Sequence, residues 1–105
     1  MAVEARNDTV RLELDALPLE IRARLFRLER MISQVGLETL REPYVKHLEG
    51  KLWEMRATGR DGIARAIYVT AMGRRVVIVR AFIKKTQQTP RSEIDLAQRR
   101  AKEIL

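Results

Sequence analysis

The residues with the most chemistry to offer are five cations in the second half of the chain: Arg56, Arg65, Arg80, Lys84 and Lys85. Arg56 closes one apolar run, Arg65 opens the next, Arg80 sits inside a third, and the two lysines end that third run. If the runs are neighbouring strands, several of these side chains converge on one concave surface. A guanidinium grips two phosphate oxygens at once, and an ammonium is a compact charge whose pKa falls beside other cations, which brings proton transfer within its reach. Such a set suits cleavage of a phosphodiester without a metal. A ribose 2′-OH attacks the adjacent phosphate, and negative charge grows on the phosphorane and on the leaving 5′-oxygen, where cations stabilise it. Acid–base assistance contributes on the order of 10²–10⁴ in rate, so a site built of cations gains from having its substrate positioned by a larger machine.

Other chemistries find little support. The chain has no cysteine and one histidine, which removes thiolate nucleophiles, disulfides and Cys- or His-rich metal sites and fits a cytoplasmic protein. No catalytic triad, phosphate-binding glycine loop or spaced ligand set is present. No cofactor and no metal is expected. The N-terminal stretch lacks the apolar run of a secretory signal, and no apolar run approaches the roughly 20 residues that span a bilayer, so no membrane partner is expected. The formal charge of +7 is unevenly distributed: residues 1–40 hold six Lys/Arg against seven Asp/Glu, and residues 41–105 hold fifteen against seven. A basic second part of this kind favours a polyanion such as RNA.

The elements that must position these cations follow from periodicity. At 105 residues the chain builds one core and one domain, 1–105. Residues 9–14, TVRLEL, alternate apolar and polar and predict a first strand. Pro18 then opens a helix whose Leu17, Ile21, Leu25, Leu28, Ile32 and Val35 trace one stripe, and Gly36 ends it. Residues 37–50 read as a helical turn or two broken by Pro43. Residues 51–56, KLWEMR, and 63–70, IARAIYVT, suggest a hairpin across a turn-rich ATGRDG, and Met72–Gly73 make the next turn. Residues 75–85, RVVIVRAFIKK, are β-branched and apolar on both faces, as in a central strand. Thr89 as N-cap and Pro90 as first helical residue open a final helix with Ile94, Ala97, Ala101 and Leu105 on its apolar row. The expected fold is α+β: a small antiparallel sheet of three to four strands, N-terminal helices and a C-terminal helix, with the helices on one side and cations on the other.

Taken together, KLWEMRATGRDGIARAIYVTAMGRRVVIVRAFIKKTQQTPRSEIDLAQRR resembles the phage-derived branch of the RelE/HigB toxin superfamily. The resemblance rests on order: a hydrophobic strand and an Arg, a glycine turn, a second strand with an Arg, a β-branched strand ending in F-x-K-K, and a T-P-x-x-E helix. It spans residues 18 to about 102. It implies a fold like that of small microbial ribonucleases and a toxin of a type II toxin–antitoxin system. Such a toxin cleaves mRNA, in many cases on the ribosome, and is neutralised by an antitoxin, here expected to be a helix-turn-helix protein that alone contacts DNA. It assigns Arg56, Arg65, Lys84 and Lys85 to phosphate binding and transition-state stabilisation, with a lysine as proton donor; Arg80, Lys51 and Arg91 stand as further RNA contacts. The chain departs from the pattern in having neither tyrosine nor histidine after Lys85.

Plainer readings stand beside these. Arg56 and Arg65 can pair with Glu54 and Asp61, Lys84 and Lys85 can be a charged strand end that discourages edge pairing, and Arg80 can belong to a buried ion pair. His47 reads as a surface residue of an irregular segment, Trp53 and Tyr68 as sheet packing, and Arg22, Arg24, Arg27 and Arg30 as a solvated helix face. The alternative function is a non-catalytic module that binds RNA, the ribosome or a partner protein.

Overall fold

Residues 9–14, expected as a strand, are helical. In the computed structural model, which describes residues 2–36, 44–71 and 74–104, α1 spans Asp8–Asp15. The Asn7 side chain accepts a hydrogen bond from the Val10 N–H at 3.1 Å, satisfying a donor that the first turn leaves open. Val10 and Leu14, four residues apart, are buried, while Leu12 between them is 69% exposed. The run V-x-L-x-L satisfies a two-residue and a four-residue period at once, and packing against the sheet selects the helix. The first strand lies earlier: β1, Ala2–Ala5, runs parallel to the last strand from Ala2 opposite Arg75 to Ala5 opposite Ile78.

Helix α2, Leu19–Val35, follows Pro18 and ends at Gly36, whose φ of 88° favours glycine. Ile21, Leu25, Leu28 and Ile32 form the buried stripe; Leu17 is buried just ahead of the helix and Val35 is exposed. Residues 45–49, expected within an irregular segment, form the edge strand β2 (Val45–Glu49); residues 37–43, including Pro43, lie outside the described residues. Strands β3 (Leu52–Gly59), β4 (Gly62–Ala71) and β5 (Arg75–Lys84) make the expected meander. The turn expected at Met72–Gly73 lies outside the described residues. The sheet therefore has five strands rather than three to four, in the order β1-β5-β4-β3-β2, all antiparallel except β1 with β5.

Helices cover both faces, contrary to the one-sided expectation. On one face α1 and α2 pack Val10, Leu14, Ile21, Leu25 and Ile32 onto Met55, Ala64, Ala66, Tyr68 and Ile78. On the other, Ala97 and Ala101 of α3 (Arg91–Ala101) seal Leu52, Ile67, Val69, Val77, Val79 and Phe82. Ile94 is half-buried on the same row, and Leu105 lies outside the described residues. The N-cap of α3 is Pro90 rather than Thr89, whose hydroxyl is engaged elsewhere.

Two local features aim the β3–β4–β5 end of the sheet. Gly59 sits so close to α2 that an added Cβ would lie 2.3 Å from Ile21 Cγ1, and glycine there lets the helix close onto the strand. In β5, Ile67 pairs with Arg80 and the next residue, Tyr68, pairs with Ile78, leaving Val79 as a bulge. The bulge reverses which residues face α3: Val77 and Val79 before it, Phe82 after it. Strict alternation across RVVIVRAFIKK cannot describe that strand.

Candidate functional site

Arg56 and Arg65 are directly opposite each other on β3 and β4, and Arg65 is opposite Phe82 on β5. Alternation along β3 puts Glu54 on the same face, two residues from Arg56. Glu54 and Arg65 are wholly buried, a polar pair among apolar strands. Glu54 Oε1 accepts a hydrogen bond from Arg56 Nε and lies 3.8 Å from Arg65 Nε, while its Oε2 accepts from the Thr89 hydroxyl at 2.6 Å. Thr89 thus ties the start of α3 to the strand arginines. Asp61, the other carboxylate considered as a partner, pairs with neither arginine among the described residues.

The segment leaving β5 closes over these groups. Arg65 Nη2 donates to the carbonyl oxygens of Thr86 and Gln87, the latter at 2.9 Å, and Arg56 Nη2 donates to the same Gln87 carbonyl at 2.9 Å. Arg65 Nε and Nη1 remain buried without a hydrogen-bond partner, an expensive arrangement for a guanidinium. Burial lowers the Arg65 pKa from its ordinary value, the charge of Glu54 opposes this and that of Arg56 adds to it; a guanidinium stays protonated regardless. Two arginines against one carboxylate leave the cluster with surplus positive charge.

Beside the cluster lies an open groove of about 390 Å³. Arg56, Arg60 and Lys85 line it together with Thr58 and Gln87, and no acidic side chain is among its described lining residues. Of the four residues assigned to catalysis, the structure therefore brings Arg56, Arg65 and Lys85 to one place, with Arg65 behind Arg56 rather than at the surface. Lys84 is exposed opposite Ile63 and does not line this groove. Sequence reasoning missed Arg60 and Thr89 as members. Arg60 could have been found from its place in the two-residue turn between Gly59 and Gly62, which puts it beside both flanking strands.

Residues 12–102 match the family described as Phage derived protein Gp49-like (DUF891). The chain belongs to the Gp49-like family. This is a family of RelE/HigB-type toxins, so the Gp49-like chain is a toxin of the toxin–antitoxin class. Its fold is similar to that of a chain in the crystal structure of the archaeal RelE–RelB complex from Pyrococcus horikoshii OT3. That match has a TM-score of 0.58 at 22% identity and covers 83% of this chain and 97% of the other. No curated protein matches the sequence.

The three further RNA contacts expected for this Gp49-like chain are not part of the groove. Arg80 is an ion-pair residue: its Nε and Nη2 donate to Glu93 at 2.7 and 3.1 Å, and its Nη1 lies 2.9 Å from Glu13 Oε2. The hydrogen bonds that Arg80 donates to Glu93 raise its pKa most, burial opposes them and the charge of Glu13 adds to the rise. Arg91 makes a two-point contact with Glu49 at 2.6 and 2.9 Å, clamping the start of α3 to β2, and Lys51 is exposed in the β2–β3 turn. His47 lies on β2, not in an irregular segment. It is exposed, with Nε2 2.8 Å from the Gly50 carbonyl oxygen and its ring 4.8 Å from that of Trp53. Trp53, expected in the core, remains 40% exposed beside that ring; Tyr68 opposite it is buried, as expected of a sheet residue. Among the described residues, no helix is long and apolar enough to cross a membrane.

Proposed function

We propose that this Gp49-like chain is an endoribonuclease toxin that cuts mRNA on the ribosome and is neutralised by a helix-turn-helix antitoxin, through which alone it meets DNA. The observation that carries the reading is the groove where Arg56, Arg60 and Lys85 meet with no acidic side chain among its described lining residues, backed by the buried Glu54–Arg65 pair. A scissile phosphate seated there has Arg56 within reach of its non-bridging oxygens and Lys85 beside the leaving group. The 2′-hydroxyl gives up its proton to solvent water as its oxygen forms the new bond to phosphorus, the bond to the 5′-oxygen breaks, and Lys85 supplies the proton that this oxygen takes up and is reprotonated from solvent. The products are a 2′,3′-cyclic phosphate and a 5′-hydroxyl.

Arg65 serves as a positioning residue in this reading. It is too deep to touch RNA, but it fixes the Thr86 and Gln87 carbonyls and so the direction in which Lys85 leaves β5. Glu54 holds Arg56 in the same way. Lys84, on the exposed end of β5, contributes long-range attraction rather than contact, as does Lys51, whereas the charge of Arg91 is neutralised by Glu49 and Asp95. The match to a chain of the RelE–RelB complex supports a protein partner for this chain as well.

One observation favours the non-catalytic alternative: Arg56 and Arg65 are both committed to internal partners. Induced expression followed by mapping of transcript ends separates the two readings. An enzyme arrests growth and leaves new 5′-hydroxyl ends that disappear with Arg56→Ala or Lys85→Ala. A binder leaves no such ends, and the same substitutions lower its RNA affinity and its salt dependence. Folded protein that neither cuts translated mRNA nor arrests growth would sink the ribonuclease reading.

A further inference from the structure

A second groove, of about 430 Å³, opens on the other side of β3 between that strand and α2. Leu28, Met31 and Tyr44 form its apolar floor, and Arg24, Arg27 and Arg56 stand on its rim. Among its described lining residues there is no carboxylate. It shares Arg56 and Thr58 with the groove that holds Lys85, so the two adjoin across β3. Beyond Met55, which is opposite Val45, the Arg56 N–H donates to the Tyr44 carbonyl at 2.8 Å, and past it Arg24 donates a side-chain hydrogen bond to the Thr58 carbonyl, walling the strand among the described residues.

Two features of the floor and rim are not explained by folding. Tyr44 is 53% exposed and Met31 40% exposed, an aromatic face and a thioether presented side by side to solvent. Arg27, exposed on the same helix, makes no hydrogen bond or ion pair among the described residues, whereas Arg24 is held by Glu20 at 3.0 Å and Arg56 by Glu54. A flat apolar surface beside an uncommitted guanidinium has the chemistry of a nucleotide site: the base stacks and the phosphate takes the charge. The volume falls in the roughly 300–1,000 Å³ range of small-molecule sites. An amphipathic helix would need a row of anchoring pockets along two or three turns, and this floor offers one.

We infer that the Leu28–Met31–Tyr44 groove binds the nucleotide adjoining the scissile bond, its base against Tyr44 and its phosphate on Arg27. This deepens the ribonuclease reading and rests on it. RNA held at Arg56 must continue past the end of β3, and the groove, with no carboxylate among its described lining residues, offers it a path on that side. The subsite then sets which nucleotide next to the cut is preferred and contributes mainly to KM.

The test uses the full chain in a reconstituted translation reaction, with mRNA carrying 4-thiouridine for photocrosslinking and with cut positions mapped. Wild type is expected to crosslink at Tyr44. Tyr44→Ala and Arg27→Ala are each expected to lower kcat/KM on the order of tenfold, as for loss of one stacked base. The loss should lie in KM, and the nucleotide preference beside the cut should broaden. Both side chains are exposed, so an unchanged thermal midpoint certifies the fold. Wild-type cutting with the same preference and KM in both variants would overturn the groove assignment and leave the ribonuclease reading standing. Variants that cut normally but escape the antitoxin would overturn it in favour of a protein occupant. A wild-type chain that cuts nothing would sink both readings together.

Discussion

Two arginine–carboxylate clusters sit on this sheet, and they differ in their charge balance. At the β1 side, Arg80 and Arg100 face Glu13 and Glu93: two cations, two anions. Every member bridges elements. Glu13 reaches from α1 to the Ala81 N–H at 3.2 Å and to Arg100 on α3, and Arg100 also donates to the Val79 carbonyl at the bulge. Around Glu54 the count is two arginines to one carboxylate, two donors of Arg65 lack partners, and a groove with Arg60 and Lys85 opens beside it. A balanced network stitches the stretch of β5 that β1 does not reach, doing the work of an absent strand. A surplus of positive charge costs stability, and a bound phosphate would relieve it. The comparison teaches that arginines in one sheet are sorted into structural and functional roles by what surrounds them, not by strand position.

Substitutions can break that contrast. The largest effect is expected at Lys85: Lys85→Ala should lower the rate of mRNA cutting on the order of 10²-fold or more, the usual consequence of removing one group that stabilises transition-state charge. The thermal midpoint should stay unchanged, since Lys85 is exposed and makes no hydrogen bond or ion pair among the described residues. The reverse pattern is expected for Arg80→Met, with unfolding free energy in urea falling by roughly 3 kcal/mol and cutting per folded molecule nearly unaltered. If Arg80→Met lost cutting without losing stability, the sorting of the two clusters would be wrong.

Gly59→Ala tests the packing that lets α2 wall the second groove. The added methyl would meet Ile21, a buried core side chain, and should cost about 2 kcal/mol, read as an earlier urea midpoint. A neutral result would mean that α2 shifts freely against β3.

The smallest expected effect is on pH dependence. Burial raises the Glu13 pKa, but hydrogen bonds from Arg100 and the Ala81 N–H, with the charges of Arg80 and Arg100, outweigh it and hold the carboxyl below its ordinary value. A carboxyl depressed by folding binds its proton more readily in the unfolded chain. It therefore stabilises the fold above the ordinary carboxylate value, and that contribution is lost as pH falls through the depressed one. Thermal midpoints measured from about pH 5 to about pH 3 should fall less steeply in Glu13→Gln than in wild type. Equal slopes would show that folding does not depress the Glu13 carboxyl.

Much of this was legible in the chain itself. The stripe Ile21–Leu25–Leu28–Ile32, the three meander strands and the basic second part follow from spacing and composition, because periodicity reports which face an element buries. The order of Arg56, glycine turn, Arg65 and F-x-K-K predicted that cations would meet, and strand pairing brings Arg56 opposite Arg65. Tertiary structure alone decided the rest. TVRLEL carries two periods, and only the sheet beneath it selects the helix; AVEA is too short to declare itself a strand without β5 to pair with. The Val79 bulge changes which β5 residues face α3, so no alternation count can assign Arg80 to Glu13 and Glu93. Glu54 looks like any polar residue of a half-buried strand until Thr89 and two arginines enclose it. Charge type and order are properties of a line of residues, whereas burial, pairing and the surplus charge of a cluster arise only when distant segments share one volume.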